Sequence, residues 1–125
     1  MKKRLLVVDD EPSIRLILEH YFKNEYDVTI KSNGKEAMDW LEKGNPIDAI
    51  IADFAMPIMN GLDFIKQLRA STLFKNIPLI MLSGKDETSN KITCLKAGAD
   101  DYVIKPFNPE EVDIRIKNIL RRLSI

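Results

Sequence analysis

The sequence has a single cysteine, a single histidine and no excess of charge of either sign. Because Cys94 has no second cysteine to pair with, an internal disulfide and a cysteine-based zinc site are excluded. Nineteen lysines and arginines balance nineteen aspartates and glutamates, so no overall positive field attracts nucleic acid or anionic lipid. We therefore expect a reduced, cytoplasmic location and no direct binding to DNA or a membrane.

Long hydrophobic runs and flexible linkers are also absent from the sequence. The first apolar run, Leu5 to Val8, ends after four residues at the acidic Asp9, so we expect neither a signal peptide nor a membrane span. No low-complexity stretch divides the chain, and 125 residues with 45% hydrophobic content suffice to bury one core. We therefore predict one domain over residues 1–125.

Short apolar runs alternate five times with stretches of helical period. Two of these stretches carry a clear apolar helix face. One begins near Pro12, and the other follows Asn108, which suits an N-cap, and Pro109, which suits a first turn. The face of the first consists of Ile14, Ile17, Leu18, Tyr21 and Phe22. The apolar runs are Leu5–Val8, Val28–Ile30, Ile47–Ala52, Leu79–Leu82 and Tyr102–Ile104. This alternation predicts an α/β fold in which a parallel sheet carries helices on both faces.

Polar residues follow several of these runs, where the carboxyl ends of parallel strands form a ligand-binding edge. They are Asp9, Asp10, Asp53, Ser83 and Lys105. Three carboxylates held close together repel one another unless a cation neutralises them, and Mg²⁺ prefers oxygen ligands together with a phosphate. Lys105 offers a positive charge and Ser83 a hydrogen bond to a phosphoryl group. The sequence therefore predicts a phosphoryl-binding site, with Asp53 as the carboxylate best placed to form an aspartyl-phosphate.

The segment Asp53–Gly61, DFAMPIMNG, resembles the phosphorylation loop of two-component response-regulator receiver domains. Four further blocks match motifs of that family in order and spacing, so the resemblance covers essentially the whole chain. They are LVVDDE at 6–11, LSG at 82–84, GADDY at 98–102 and KPF at 105–107. The resemblance implies a CheY-like, flavodoxin-like fold of five parallel strands in the order 2-1-3-4-5 with five flanking helices. It also implies a phosphorylation-activated signalling switch rather than an enzyme.

The resemblance assigns the acidic residues their roles. Asp53 would accept a phosphoryl group from a phosphohistidine of a sensor histidine kinase, or from a small phosphodonor. Mg²⁺ would be held by the carboxylates of Asp10 and Asp53 and by the backbone carbonyl of Ala55, with Asp9 assisting through water. A metal ion and one lysine suffice for such a reaction, because phosphoryl transfer needs positioning and charge stabilisation more than covalent help.

The resemblance also assigns a switch. Lys105 would pair with the phosphoryl oxygens, and Gly84 would leave room for them. The hydroxyl of Ser83 would move to bind the new phosphate, and the ring of Tyr102 would swing inward into the space vacated. The peptide bond between Lys105 and Pro106 would be cis.

The closest pattern within the family is that of receivers of OmpR/PhoB-type transcription regulators, which dimerise through the fourth helix, fifth strand and fifth helix. The expected cross-subunit ion pairs are Lys91 with Glu111, Asp101 with Arg122, and Asp100 with Arg115. One position departs from that pattern, because Lys96 would face Lys117 where an acid is expected. We expect a homodimer on phosphorylation and an effector domain or protein as the output, with a stand-alone receiver acting through a partner protein as the alternative.

Two other functions share this architecture. An aspartyl-phosphate hydrolase of the haloacid-dehalogenase type needs Asp-x-Asp, but residue 55 is alanine, so its acid–base carboxylate is missing. A flavodoxin-like FMN carrier needs a Ser/Thr/Gly phosphate cradle after the first strand, where Asp9, Asp10 and Glu11 would repel the phosphate. Both are weaker alternatives to the receiver.

Overall fold

The computed structural model describes residues 2–84 and 90–123, and strands and helices alternate along them. The elements are β1 (Lys3–Val8), α1 (Pro12–Phe22), β2 (Tyr26–Lys31), α2 (Gly34–Glu42), β3 (Ala49–Asp53), α3 (Gly61–Ala70), β4 (Leu79–Ser83), α4 (Asn90–Ala97), β5 (Asp101–Ile104) and α5 (Pro109–Leu123). The strands pair in parallel in the order β2-β1-β3-β4-β5. The predicted fold class and strand order are confirmed.

The sheet separates two hydrophobic clusters, because continuous apolar strands send side chains to both faces. On one face Leu6, Ile50 and Met81 pack with α2, α3 and α4, and Phe64 is fully buried there. On the other face the strands pack with α1 and α5, and Phe22 of α1 and Val112 of α5 belong to that cluster. In the described part of the chain, no helix has the length and hydropathy needed to cross a bilayer.

The apolar face predicted for the first helix is only partly correct. Leu18 and Phe22 are buried against the sheet, but Ile17 is 47% exposed and Tyr21 is 39% exposed. The helical period places these four residues near one side of α1. A helix that packs on a sheet contacts it along a narrower strip than this apolar side covers. Ile17 and Tyr21 therefore lie at the margin of the contact with the sheet.

The third strand differs from its predicted bounds in a way that matters for the site. It covers Ala49–Asp53 instead of 47–52, because Asp53 still pairs with Leu82 of β4 and the next residue, Phe54, donates its N–H to the Leu82 carbonyl at 2.8 Å. The Asp53 carboxylate thus starts from rigid backbone inside the sheet. Such a position fixes a functional side chain better than a loop does.

Gly61 fixes the loop that leaves this strand. A Cβ at Gly61 would lie 2.5 Å from the backbone oxygen of Asp53 and 2.8 Å from the Cα of Phe54, so α3 begins directly against the end of β3. The side chain of Asn60 caps the helix by accepting a hydrogen bond from the N–H of Asp63 at 2.9 Å. The close approach and the cap together set the path of the loop.

We expect Gly61→Ala to lower the free energy of unfolding by about 1–3 kcal/mol, because the added methyl group meets backbone atoms that cannot move aside without disturbing β3. Urea denaturation followed by circular dichroism measures the change. Gly84→Ala is the matched control, because a Cβ there meets no atom within 4 Å. Equal midpoints for Gly61→Ala and the unaltered protein would contradict the close approach.

Candidate functional site

The carboxyl ends of three strands bring the predicted residues together. Asp9 directly follows β1, Asp53 ends β3 and Lys105 directly follows β5. The Nζ of Lys105 lies 2.9 Å from Oδ1 of Asp53 and 3.6 Å from Oδ2 of Asp9. The backbone N–H of Lys105 donates to the carbonyl of Ser83, the last residue of β4, at 2.6 Å. The sheet therefore places an ammonium group against two buried carboxylates.

Four carboxylates form a cluster at this edge. Ligand oxygens of Asp9, Asp10, Glu11 and Asp53 all lie within 4.8 Å of one another. Asp9 and Asp53 are buried, whereas Asp10 and Glu11 are more open to solvent. Among the described residues, Oδ2 of Asp9 is the buried side-chain atom that has no hydrogen-bond partner. An unsatisfied carboxylate oxygen beside other oxygen ligands, open to water on one side, fits Mg²⁺, which usually keeps several waters.

The electrostatics of the cluster are unfavourable without a cation. Burial raises the pKa of Asp53 to about 7, and the neighbouring Asp9 adds to the shift although Lys105 opposes it. Burial also raises the pKa of Asp9, against the hydrogen bond from the backbone of Glu11 and the charge of Lys105. Burial works against the ammonium of Lys105, but its hydrogen bond and charge contact with Asp53 raise the pKa of the lysine overall. One lysine thus leaves excess negative charge that a divalent cation would neutralise.

The remaining predicted site residues surround this centre. Ala55 is exposed in the loop after β3, two residues beyond Asp53. Ser83 is fully buried, and Gly84 follows it. The Lys105–Pro106 peptide bond is cis.

The ring of Tyr102 is already inside the protein. Tyr102 is only 5% exposed and belongs to the hydrophobic cluster on the face of α2, α3 and α4. The predicted inward swing of this ring on phosphorylation stays a prediction.

Several residues predicted to pair across a dimer have partners inside the chain. Arg115 pairs with Asp101 at 3.0 Å and with Glu111 at 2.9 Å. Asp100 pairs with Arg69 at 3.1 Å and accepts a hydrogen bond from the N–H of Leu79 at 2.8 Å. Sequence spacing cannot show Arg69 as the partner of Asp100, because the two meet only when α3 packs beside the loop before β5. The cross-subunit pairs stay a prediction.

From the sequence, Glu11 is expected only as an acid that would repel an FMN phosphate together with Asp9 and Asp10, and its contact with Lys105 is not predicted. Its Oε1 lies 3.2 Å from Nζ of Lys105. The sequence gives little indication of this contact, because a third acid after Asp9 and Asp10 at the start of a helix is readily explained as a solvated side chain. The contact depends on how α1 leaves β1, which only the fold determines.

Comparisons with known proteins agree on one family. Residues 5–117 match the family model described as the response regulator receiver domain. The chain is 44% identical over 126 residues to the alkaline phosphatase synthesis transcriptional regulatory protein PhoP of Bacillus subtilis, covering 100% of this chain and 51% of that protein. It is 44% identical over 121 residues to the response regulator SaeR of Staphylococcus aureus, covering 96% and 51%. The chain spans about half the length of these curated relatives.

Solved structures agree with the fold. The receiver domain of the Francisella response regulator 1452 is similar with a TM-score of 0.87 and 37% identity, covering 98% of this chain and 100% of that one. The receiver domain of the sensor histidine kinase PA1611 from Pseudomonas aeruginosa has a TM-score of 0.87 at 26% identity, covering 97% and 99%. That structure holds a magnesium ion in its active-site cleft.

We expect Asp53→Asn to stabilise the metal-free protein, because the substitution removes a buried charge. An ordinary pKa of 3.8 raised to about 7 means that the folded state binds more protons than the unfolded state between these values. The contribution of Asp53 to the free energy of unfolding therefore falls as the pH rises through this window. Above it, Asp53→Asn should be more stable than the unaltered protein by about 1–3 kcal/mol.

Urea denaturation in a chelating buffer at several pH values measures this difference. The gain should shrink as the pH falls towards 4, where Asp53 is protonated in the folded state. Glu42→Gln, an exposed acid on α2, is the matched control and should show no such pH-dependent gain. A gain of the same size at low and high pH would contradict the electrostatic explanation.

Proposed function

Because the chain belongs to the response regulator receiver domain family, we propose that Asp53 is its phosphoryl acceptor. The contact that supports this proposal most directly is the 2.9 Å pair between Nζ of Lys105 and Oδ1 of Asp53, inside a cluster of carboxylates. The lysine marks the position where new negative charge is stabilised. The phosphohistidine of a sensor histidine kinase is the proposed donor, and acetyl phosphate is a small substitute for it.

The transfer is a single displacement at phosphorus. A carboxylate oxygen of Asp53 attacks the phosphorus atom, an O–P bond forms, and the P–N bond to the histidine breaks with its electron pair left on the imidazole nitrogen. Lys105 stabilises the phosphoryl oxygens, while Ser83 and Gly84 line the space next to them. The strand ends hold Asp53 and Lys105 in place before the donor arrives, so these two groups need little reorganisation for the reaction.

A magnesium ion completes the proposed site. Asp10, Asp53 and the carbonyl of Ala55 would hold it, and Asp9 would assist through water. When bound, the ion supplies the positive charge that neutralises the carboxylates and the phosphoryl oxygens. The raised pKa of Asp53 would then fall, since an adjacent cation favours the ionised form that attacks.

The proposed reaction leaves the phosphoryl group on the protein itself and does not turn over an external substrate. Residue 55 is alanine, so the carboxylate that a phosphoester hydrolase would need two residues after Asp53 is missing. We therefore propose a non-enzymatic receiver in the cytoplasm, which assists only its own phosphorylation and dephosphorylation. Both relatives named above are about twice as long as this chain, and one of them is a transcriptional regulatory protein, which supports an effector domain or protein as the output.

The proposed output surface is the dimer face, defined by α4, β5 and α5. Exposed apolar side chains on α4 and β5 include Ile92 at 64%, Leu95 at 40% and Ile104 at 37% exposure. The charged residues Lys91 and Glu111 are also exposed on α4 and α5, and Arg122 is exposed in the last turn of α5. An apolar patch bordered by charges is typical of an interface between proteins. A second copy of the chain is the proposed occupant.

We expect acetyl phosphate with Mg²⁺ to add one phosphoryl group to the protein, as measured by intact mass spectrometry. Asp53→Asn should remain unmodified, because the amide is not a nucleophile under these conditions. Chelation of Mg²⁺ with EDTA should abolish the modification of the unaltered protein. A modification that persists in Asp53→Asn would place the acceptor elsewhere.

We expect beryllofluoride, a phosphoryl mimic, to convert the protein from monomer to dimer in the presence of Mg²⁺. Light scattering gives the mass in solution, with Asp53→Asn as the control that stays monomeric. Ile92→Asp should also stay monomeric, because a charge in the apolar patch opposes its burial. If the protein is phosphorylated but stays monomeric, dimerisation is not its output, and a different partner protein must bind the phosphorylated form.

A further inference from the structure

Glu11 occupies the N-cap position of α1 but does not cap the helix. Its backbone is extended, with φ of −88° and ψ of 115°, and its side chain accepts no hydrogen bond from the helix N–H groups. Asn33 and Asn60 at the starts of α2 and α3 do accept such bonds. Glutamate is not among the preferred N-cap residues. Its side chain therefore serves another contact.

That contact is with Lys105, which belongs to the opposite end of the sequence. Oε1 of Glu11 lies 3.2 Å from Nζ, while Oδ1 of Asp53 lies at 2.9 Å and Oδ2 of Asp9 at 3.6 Å. The Glu11 side chain is 55% exposed, whereas those of Asp53 and Asp9 are 4% and 1% exposed. Glu11 thus approaches the ammonium from the solvent side, and the other two carboxylates approach it from the protein side.

An ammonium group has three N–H donors to share among these carboxylates and an incoming phosphoryl group. A phosphodonor approaches from solvent, which is the side that Glu11 occupies. Two effects of Glu11 then oppose the donor. Its carboxylate competes for Lys105, and its negative charge repels an anion at the entrance.

We propose that Glu11 is a positioning residue that restrains Lys105 and thereby limits the rate at which anionic phosphodonors modify Asp53. This inference rests on the proposed function of Asp53. The reaction concerned is attack of an Asp53 oxygen on the phosphorus of acetyl phosphate. An O–P bond forms, the P–O bond to the acetyl group breaks, and acetate leaves with the electron pair.

The same charge has the opposite effect on a cation. A carboxylate oxygen of Glu11 lies within 4.8 Å of the ligand oxygens of Asp9, Asp10 and Asp53. Its charge attracts Mg²⁺ even without direct coordination. Glu11 therefore favours binding of Mg²⁺, while it slows the reaction of Asp53 with an anionic phosphodonor. The two effects can be measured separately.

The test compares Glu11→Gln with the unaltered protein at saturating Mg²⁺. Glutamine keeps the size of the side chain and removes its charge. We expect the initial rate of Asp53 phosphorylation by acetyl phosphate, followed by intact mass, to rise about 2- to 5-fold, which is the scale of losing one partly exposed charge contact. Calorimetric titration should show Mg²⁺ binding weakened about 2- to 5-fold.

Two further conditions separate an electrostatic role from a structural one. Acetyl phosphate is a dianion near neutral pH, whereas phosphoramidate carries one net negative charge less, so the gain should be smaller with phosphoramidate. The gain should also fall towards unity in about 1 M KCl, where screening shortens electrostatic interactions to about 3 Å. Glu11→Asp keeps the charge but shortens the reach to Lys105, so its Mg²⁺ affinity should stay close to that of the unaltered protein.

Glu19→Gln is the matched control, because it removes the same charge from the same helix farther from the site. It should leave both the rate and the Mg²⁺ affinity unchanged. An unchanged or lower rate for Glu11→Gln, or a gain that is the same for both donors and in high salt, would overturn the inference while Asp53 remains the acceptor. Failure of acetyl phosphate to modify the unaltered protein would overturn the proposed function together with this inference.

Discussion

The structure depends on one arrangement: two buried carboxylates held against a single ammonium group at the edge of a parallel sheet. Asp9, Asp53 and Lys105 come from the ends of three strands, and each is fixed by backbone pairing inside the sheet or directly after it. Hydrophobic packing on both faces provides the stability that offsets this unfavourable charge. Asp53, the proposed acceptor, can therefore keep a pKa raised to about 7, which a bound cation would lower.

The sequence was sufficient for the strands and for most of the site, for a physical reason. A strand buried on both faces leaves a continuous apolar run, and its first polar residue marks the functional edge. Asp9, Ser83 and Lys105 were all located in this way. The family motifs added Ala55 and Tyr102, which no composition or period would have distinguished from ordinary loop and core residues.

What the sequence could not supply depends on how elements meet in space. The contact of Glu11 with Lys105 joins residues from opposite ends of the chain, and the pair of Arg69 and Asp100 joins α3 to the loop before β5. The exposure of Ile17 is similar, since the width of the helix–sheet contact decides it and not the helical period. Hydrophobic periodicity and residue spacing describe one helix or strand at a time, so they do not predict contacts between elements that are distant in the sequence.

The fold also places Asp53, the proposed acceptor, a short distance along the sheet from the proposed dimer face. Ser83 lies in the site and pairs in register with Ile104, which is exposed on that face. α4 attaches to the core mainly through Cys94, its one buried residue among those described, whereas Arg69 holds the carbonyl of Gly98 behind it at 2.8 Å. A helix anchored firmly at one end and weakly along its length can shift at low cost. The proposed movement of Ser83 towards a phosphoryl group would therefore occur beside Ile104 and next to a helix that buries little of its own surface.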